Sequence, residues 1–265
     1  MLGSPRQRRH SRGPRSAGRD ILPLSLCLGL LLGYVLADRA PCGAPTAKPE
    51  HLINKAAFPA KWHFVSSDKN AKPAGTWTLD VTTDKDFPIL KCTGKPHGYL
   101  RTKSKYKNFT LELEWMYPSD PDCNSGILIH STNGNKVWPA SIQVQLHRPK
   151  AGSIFPLKGA STTNQVKVMG LKLDIKKWHT CKIVSNEGSI TVFINGKKVG
   201  EVNGCKPSEG YICLQSEGSE IYFRKLSITP ATPAKKADPN AVAPNPPSKT
   251  TIPSAEKSAP RKKPA

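Results

Sequence analysis

The sequence has 265 residues and a formal net charge of +21 at pH 7, with 25 prolines and seven cysteines. Residues 1–20 and 231–265 are rich in arginine, lysine and proline, and each contributes +5 to that charge. They contain too little apolar surface to offset the entropy lost on ordering. We therefore predict one domain of about 180 residues over 52–230, disordered basic termini and a linker over 38–51.

The positive charge does not by itself indicate a nucleic-acid partner. The remaining +11 is spread over many lysines between the two terminal segments. The sequence has no helix-turn-helix pattern, no zinc-ligand spacing and no aromatic motif for single strands. We predict no nucleic-acid partner, and no protein partner can be identified. An anionic polysaccharide, an anionic cell surface and plain solvent are each compatible with a basic surface.

An apolar segment follows the arginine-rich start. Residues 21–37 are 17 apolar or small residues without a charge. A basic region before an apolar run is typical of a secretory signal, and Val35–Ala37 offers a small-residue cleavage site. If it is not cleaved, the run is long enough to anchor the chain in a membrane. Either outcome exports the domain to the periplasm, the cell surface or the medium.

The cysteines fit an oxidising compartment. Cys27 lies in the apolar segment, and six others remain: Cys42, Cys92, Cys123, Cys181, Cys205 and Cys213. No pair has the C-x-x-C spacing, which argues against zinc or redox chemistry. We expect buried free thiols together with one or two structural disulfides.

Short alternating runs separated by turn residues predict an all-β domain. Candidate strands are Gly98–Thr102, Phe109–Tyr117, Gly126–Ser131, Ser141–His147, Thr180–Ser185, Ser189–Ile194, Lys198–Val202, Ile212–Ser216 and Ile221–Thr229. Asn195-Gly196 is a strong hairpin signal. Helical periodicity occurs only near 171–178, and residues 51–93 are expected to add one strand. The pattern predicts a single two-sheet sandwich or jelly roll.

Four of these strands have one apolar face and one polar face. Because alternate side chains point to opposite faces, the polar set is Glu114, His130, Gln143, Gln145, His147, Gln215 and Glu217. If the strands share a sheet, these groups form a concave surface suited to sugar hydroxyls. The alternative is a solvated outer face without a ligand.

An ordered series of motifs resembles the 3-keto-disaccharide hydrolase family, formerly a domain of unknown function. The resemblance covers residues 52–230 and implies a concanavalin-like jelly-roll β-sandwich. The motifs that carry it are Gly98-Tyr-Leu-Arg-Thr102, Tyr106 to Trp115, Asn124-Ser-Gly-Ile127, Pro139 to Gln145, Trp178, Ile190 to Gly196, Gly210 to Gly218 and Phe223-Arg-Lys-Leu226.

The resemblance implies a 3-keto-glucoside 1,2-lyase with hydratase activity, acting on an oxidised glycoside or polysaccharide. A ketone at C3 acidifies the C2 proton, so a base can start elimination at C1, and water then adds back. Such a site needs a base, donors for the enolate oxygen and an acid near the leaving group. The candidates are Glu114 and His147 as base, His130 as acid or metal ligand, and Asn124, Gln143, Gln145, Gln215 and Glu217 for substrate binding. No cofactor is evident, and a divalent metal stays open.

Three departures from the family pattern leave catalysis open. Met116 stands where Arg is usual, Gln143 where Glu is common, and Ser216-Glu217-Gly218 where Asp-His-Gly is frequent. A non-catalytic carbohydrate-binding module at the cell surface is therefore the alternative function. A laminarinase-type site is disfavoured because Tyr117 follows the Glu112–Glu114 pair where a third acid would be required.

Overall fold

The computed structural model describes residues 48–84, 86–134 and 136–231. The predicted basic start and apolar segment lie outside these residues, as do most of the linker and nearly all of the tail. Export and membrane anchoring therefore stay predictions. Within the three described ranges, no helix is both long enough and apolar enough to span a membrane.

The regular secondary structure of the described residues is almost entirely strand. One short helix, α1 (Pro73–Thr76), and a single 3₁₀ turn (Arg148–Lys150) interrupt the strands. The strands are β1 (Glu50–His51), β2 (Trp62–Ser66), β3 (Trp77–Asp80), β4 (Ile89–Cys92), β5 (Gly98–Thr102), β6 (Phe109–Met116), β7 (Gly126–Ser131), β8 (Ser141–Gln145), β9 (Ile154–Leu157), β10 (His179–Asn186), β11 (Ser189–Ile194), β12 (Lys197–Val202), β13 (Tyr211–Ser216) and β14 (Ile221–Pro230).

These strands form two antiparallel sheets. The eight-stranded sheet has the order β12-β11-β10-β6-β14-β4-β3, with β1 also paired to β14. The six-stranded sheet has the order β2-β5-β13-β7-β8-β9. A core of buried apolar side chains from both sheets lies between them. The predicted all-β, concanavalin-like jelly-roll sandwich is confirmed.

Strand β6 shows how the sequence produces the two layers. Phe109, Leu111, Leu113 and Trp115 are at most 2% exposed and face the core. Their neighbours point away, and among them Glu112 lies opposite Lys182 of β10. Period-two alternation therefore assigned the sides of this strand correctly.

All nine of the candidate strands are confirmed. Three have the predicted bounds, and six others end within two residues of them. The segment near 171–178, which has helical periodicity, does not form a helix. Its backbone is tied to other loops instead, since Leu173 O accepts a hydrogen bond from Arg148 Nε (2.6 Å) and Lys176 N donates to Tyr117 O (2.7 Å).

The early part of the chain is more regular than its sequence indicates. Residues 51–93 contribute three full strands, β2 to β4, and β1 begins at Glu50, inside the segment expected to be a linker. Glu50 is held by Tyr106 Oη (2.9 Å) and Lys61 Nζ (2.6 Å). Strand β9 carries no clear alternation and was missed.

The predicted hairpin at Asn195-Gly196 is confirmed. Both residues have positive φ, +48° and +78°, which is the conformation of a type I′ turn. The turn joins β11 to β12, and Asn195 Oδ1 accepts a hydrogen bond from Thr180 N at 2.9 Å.

The described cysteines differ from expectation. Cys92, Cys123, Cys181, Cys205 and Cys213 are all buried and unpaired, so no disulfide links the described residues. Burial raises the pKa of each thiol to about 11 or 12. Because the thiolate is the reactive form, these groups act as small apolar side chains.

Replacing Leu111 tests the assignment of sides on β6. Leu111→Ala leaves a cavity between the sheets and should lower the free energy of unfolding by about 2–5 kcal/mol. Glu112→Ala, one residue away on the exposed side, should cost less than about 1 kcal/mol. Urea denaturation of the full-length protein measures both. Similar losses for the two variants would contradict the assignment.

Candidate functional site

The side of the six-stranded sheet that points away from the core carries a mixed set of polar and apolar side chains. Strand pairing places Tyr99 opposite Gln215, Leu128 opposite both Cys213 and Gln143, and Gly126 opposite Gln145. We call this surface the recessed face. Its residues are His63, Val65, Tyr99, Arg101, Gly126, Leu128, Gln143, Gln145, Phe155, Cys213 and Gln215.

This face is covered although it lies outside the sandwich core. Gln215 and Gln143 are only 1% and 4% exposed. Part of the cover is the loop after β7, where the carbonyls of Gly134 and Lys136 accept hydrogen bonds from Tyr99 Oη at 2.8 and 3.2 Å. The buried centre of this face is therefore the floor of the candidate site, and this burial does not fit the alternative of a solvated outer face.

Two amides meet on this floor because Gly126 has no side chain. A Cβ at Gly126 would lie 2.0 Å from Gln215 Oε1 and 2.9 Å from Gln143 Nε2. Any larger residue would displace both amides. The two predicted binding residues are therefore brought together, with an acceptor and a donor side by side.

Glu217 follows β13 and stands at one end of the recessed face. Burial raises the pKa of its half-buried carboxyl, while His97, His147 and the Asn124 amide act in the opposite direction. Its Oε2 atom has no hydrogen-bond partner among the described residues. A carboxylate with a raised pKa is a stronger base than an exposed one.

Unpaired polar atoms are concentrated at this face. Buried polar atoms are normally hydrogen-bonded, so an atom without a partner points to a ligand or to ordered water. Four of the eight buried side-chain atoms that lack a described partner belong to the recessed face or its Glu217 end: Arg101 Nε, Asn124 Oδ1, Gln215 Oε1 and Glu217 Oε2.

His147 and Gln145 lie at the same end. His147 Nε2 is 2.9 Å from Asp122 Oδ1. Gln145 Oε1 accepts hydrogen bonds from the backbone N–H groups of Leu146 and His147, both at 2.9 Å. These contacts fix the glutamine and leave its amide nitrogen to bind other groups. Asn124, Gln143, Gln145, His147, Gln215 and Glu217 are thus placed on or beside one surface.

Glu114 does not belong to this surface, so the prediction that it shares a sheet with the amides is wrong. It points outward from β6 in the eight-stranded sheet. Arg224 Nε donates to its Oε2 at 2.6 Å, and Lys225 Nζ donates to its Oε1 at 2.9 Å. Burial favours a higher pKa for Glu114, but the two cations outweigh it and lower the pKa. A doubly ion-paired carboxylate is a weak base.

His130 does not face outward either. It is 0% exposed, and its ring packs edge-on against Phe109 of the core at 6.0 Å. Its backbone is left-handed (φ +54°), and the pairing of β7 with β13 shifts register nearby, so the alternation breaks at this residue. Its Nε2 lies 3.0 Å from Ser185 Oγ. Burial lowers its pKa, which favours the neutral ring.

The three departures from the family pattern fall on different surfaces. Gln143 and Glu217 belong to the recessed face and its end, whereas Met116 pairs with Tyr222 in the eight-stranded sheet. These three departures therefore do not share one polar face. Only the changes at Gln143 and Glu217 alter the chemistry of the recess.

A groove of about 980 Å³ lies on the other sheet, with Glu112, Glu114, Lys182, Lys225 and Phe87 in its lining. It is large enough for a small ligand. Its half-buried carboxylate, Glu114, is already neutralised by Arg224 and Lys225, however, and Lys225 Nζ lies 4.2 Å from the centre of the Phe87 ring. The unpaired groups favour the recessed face as the functional site.

No metal centre is apparent in the described part of the chain. No three His, Cys, Asp or Glu side chains converge there closely enough to hold an ion. The residues near Glu217 therefore do not fit a divalent metal, and no step below depends on one.

Several residues of this site were not predicted. His97 and Trp138 stand on loops, with their rings 6.5 Å apart. Loop residues have no periodicity from which a position can be inferred. Tyr99 and Arg101 could have been predicted from the alternation along β5. Leu100 faces the core, so its two neighbours in sequence, Tyr99 and Arg101, lie on the opposite face.

Comparison with known proteins identifies the class. Residues 48–229 match the family of 3-keto-alpha-glucoside-1,2-lyase-like domains, and the chain belongs to that family. It is a carbohydrate-related jelly-roll protein. The comparison with curated proteins found no match.

One of the similar solved structures shares the fold. A provisionally assigned glycosyl hydrolase from Parabacteroides distasonis has 21% identity and a TM-score of 0.50, covering 69% of this chain and 99% of its own. Carbohydrate binding module CBM66 from Bacillus subtilis has 14% identity and a TM-score of 0.46, with coverages of 63% and 93%. A β-glucanase from Bacillus licheniformis has 12% identity and a TM-score of 0.44, with coverages of 69% and 97%.

The opposite pKa shifts of Glu217 and Glu114 predict opposite effects on stability. The pKa of Glu217 is raised, so its ionisation opposes folding as pH rises through and above its ordinary value of 4.5. Glu217→Gln should therefore raise the melting temperature at pH 7, with the gain fading below pH 4.5. The pKa of Glu114 is lowered, so Glu114→Gln should lower the melting temperature at pH 7, with the loss fading in acid.

Thermal melts of the full-length protein and both variants between pH 4 and 8 measure these differences. A Glu217→Gln protein that is less stable than the parent at pH 7 would show that the carboxylate is structurally paired.

Proposed function

We propose that the protein cleaves 3-keto-glycosides at the recessed face, with Glu217 as the catalytic base. The supporting observation is a half-buried carboxylate with a raised pKa and an unpaired oxygen, at the end of an amide-lined floor. A base of raised pKa suits a carbon acid, because proton transfer from C2 of a 3-keto sugar needs more basicity than an exposed carboxylate provides.

The first half of the reaction is an elimination. Glu217 takes the C2 proton, and the C–H electron pair forms an enolate whose negative charge rests on the C3 oxygen. The enolate re-forms the ketone as the bond from C1 to the leaving oxygen breaks, giving a 3-keto-2-hydroxy-glucal. The departing oxygen takes a proton from an imidazolium, for which the candidates are His147 and His97, because both act electrostatically on Glu217.

The second half is a hydration. Water adds its oxygen to C1 and gives one proton back to the imidazole that protonated the leaving group, while the proton held by Glu217 returns to C2. The net change is hydrolysis of the glycosidic bond with the C3 ketone retained. No redox partner is consumed in either half.

The amides of the floor supply the polar contacts that the enolate requires. Gln143 Nε2 points over Gly126 and can donate to an anionic oxygen, while Gln215 Oε1 beside it can accept from a sugar hydroxyl. The fixed side chain of Gln145 offers a further N–H₂ donor. Donors that are held in place before the substrate binds stabilise developing charge without reorganisation.

Glu114 and His130 have structural roles in this proposal. Glu114 joins β6 to β14 through Arg224, whose guanidinium also lies 4.2 Å from the Trp178 ring centre. His130 fills the core near Phe109. Neither side chain has access to the recessed face.

Turnover of a 3-keto-disaccharide tests the proposal. The full-length protein should release glucose from the oxidised sugar and not from its unoxidised parent. Glu217→Gln should lower kcat by about 10²–10⁴-fold, the usual contribution of a general base. Glu114→Gln, the matched control on the other sheet, should keep kcat within about threefold.

Two outcomes contradict the proposal. Wild-type turnover in Glu217→Gln would remove that residue as the base. Saturable sugar binding without any turnover would instead support the non-catalytic carbohydrate-binding module, for which the same amides would serve as ligands.

A further inference from the structure

Arg101 presents a buried charge without a counter-ion at the other end of the recessed face. It is 8% exposed, and no carboxylate among the described residues forms a salt bridge with it. A buried charge is costly unless it is paired, so arginine is seldom buried alone. An anion-binding site accounts for such an arginine, because the bound anion supplies the missing counter-charge.

The guanidinium is held in a fixed position. Its Nη1 donates to Asn133 Oδ1 at 2.6 Å, and its central carbon lies 4.4 Å from the centre of the Tyr211 ring. These contacts anchor one edge and one face of the group. Its Nε–H has no partner among the described residues. The edge formed by Nε and Nη2 is therefore the one that faces a ligand, and it matches the two oxygens of a carboxylate.

The surroundings of Arg101 are also positive. His63 lies directly across the strand pair, and Lys105 Nζ is 5.6 Å from the same Tyr211 ring. Burial, followed by the charges of Arg101 and Lys103, lowers the pKa of His63. Lys103 and Lys105 thus add positive charge near Arg101, and the lowered pKa of His63 favours its neutral ring, whereas the carboxylate of Glu217 stands at the other end.

We propose that the Arg101 end of the recessed face binds the carboxylate of an acidic saccharide, so that the natural substrate is an oxidised glycoside that also contains a uronate. The carboxylate site rests on geometry alone, while the substrate class rests on the proposed function. Ser216 of β13 pairs with Gly98 of β5. Glu217 lies one residue beyond this pair in one direction, and Arg101 lies three residues beyond it in the other direction. The two ends are therefore about 13 Å apart along the strand, so the uronate is a different sugar from the one that is cleaved.

Arginine-selective NMR on the full-length protein tests the carboxylate site. The probes are methyl glucuronide, methyl glucoside and methyl glucoside 6-sulfate, none of which has a ketone to be turned over. The Arg101 Nε–H signal, assigned by its loss in Arg101→Lys, should shift saturably with the glucuronide. Binding of the neutral glucoside should be at least about tenfold weaker, as expected for a charge-assisted bidentate contact.

Two variants separate the directed contact from general charge. Arg101→Lys keeps the charge but loses the planar fork, and other signals of the protein should report glucuronide binding weakened at least about tenfold. Lys103→Gln removes one exposed charge nearby and should weaken binding less than about threefold. Equal binding of glucuronide and glucoside, or unchanged binding in Arg101→Lys, overturns the proposal, and tighter binding of the sulfate overturns its assignment to a carboxylate.

Failure here is distinguishable from failure of the proposed function. Glu217→Gln should bind the glucuronide as the parent does, because the contact lies at the opposite end. Normal turnover in Glu217→Gln would refute the catalytic proposal without affecting the carboxylate site.

Discussion

Alternation of side chains along antiparallel strands is the constraint on which the rest of this structure depends. Each strand must give half of its side chains to the core between the sheets, so its other half is committed to an outer face. In the eight-stranded sheet that outer half includes Glu112 and Glu114 with their lysine and arginine partners. In the six-stranded sheet it includes Gln143 and Gln215, which are covered and almost inaccessible to solvent.

The cover changes what the same residue types can do. At a wet surface, amides and carboxylates exchange partners with water at little cost, and salt bridges contribute little stability. On the recessed floor, unpaired groups have lost water without a described replacement, so a ligand that supplies hydrogen bonds is favoured. Glu217 illustrates the difference, because burial raises its pKa, whereas the pKa of Glu114 is lowered by two cations. The two carboxyl groups of one sandwich therefore differ in basicity, with Glu217 the stronger base and Glu114 the weaker.

The sequence was sufficient for the fold and for the sides of most strands. The alternation of Phe109 to Trp115 and the turn at Asn195-Gly196 depend on local chemistry, and local chemistry is visible in a sequence. Family motifs in the same order led to the jelly roll that the structure contains. Which strands share a sheet is a long-range property, so nothing near Glu114 shows that β6 belongs to the sheet opposite Gln143.

The errors at the site have equally physical reasons. His130 follows the period-two pattern in the sequence, but its left-handed backbone turns the ring into the core. The loop positions of His97 and Trp138 depend on the whole fold, and no periodicity predicts them. Glu217 was predicted as a binding residue, and only its burial beside two imidazoles suggests a base. Side-chain type and strand parity can be read locally, while pairing, burial and pKa require the assembled structure.

A crystal structure with a bound disaccharide tests the central claim most directly, because the two outer faces of the sandwich compete as the carbohydrate site. The account predicts sugar density over Gly126, in contact with Gln143 and Gln215 and within reach of Glu217. Density confined to the groove beside Glu114 and Phe87, with the recessed face empty at saturating sugar, would contradict it.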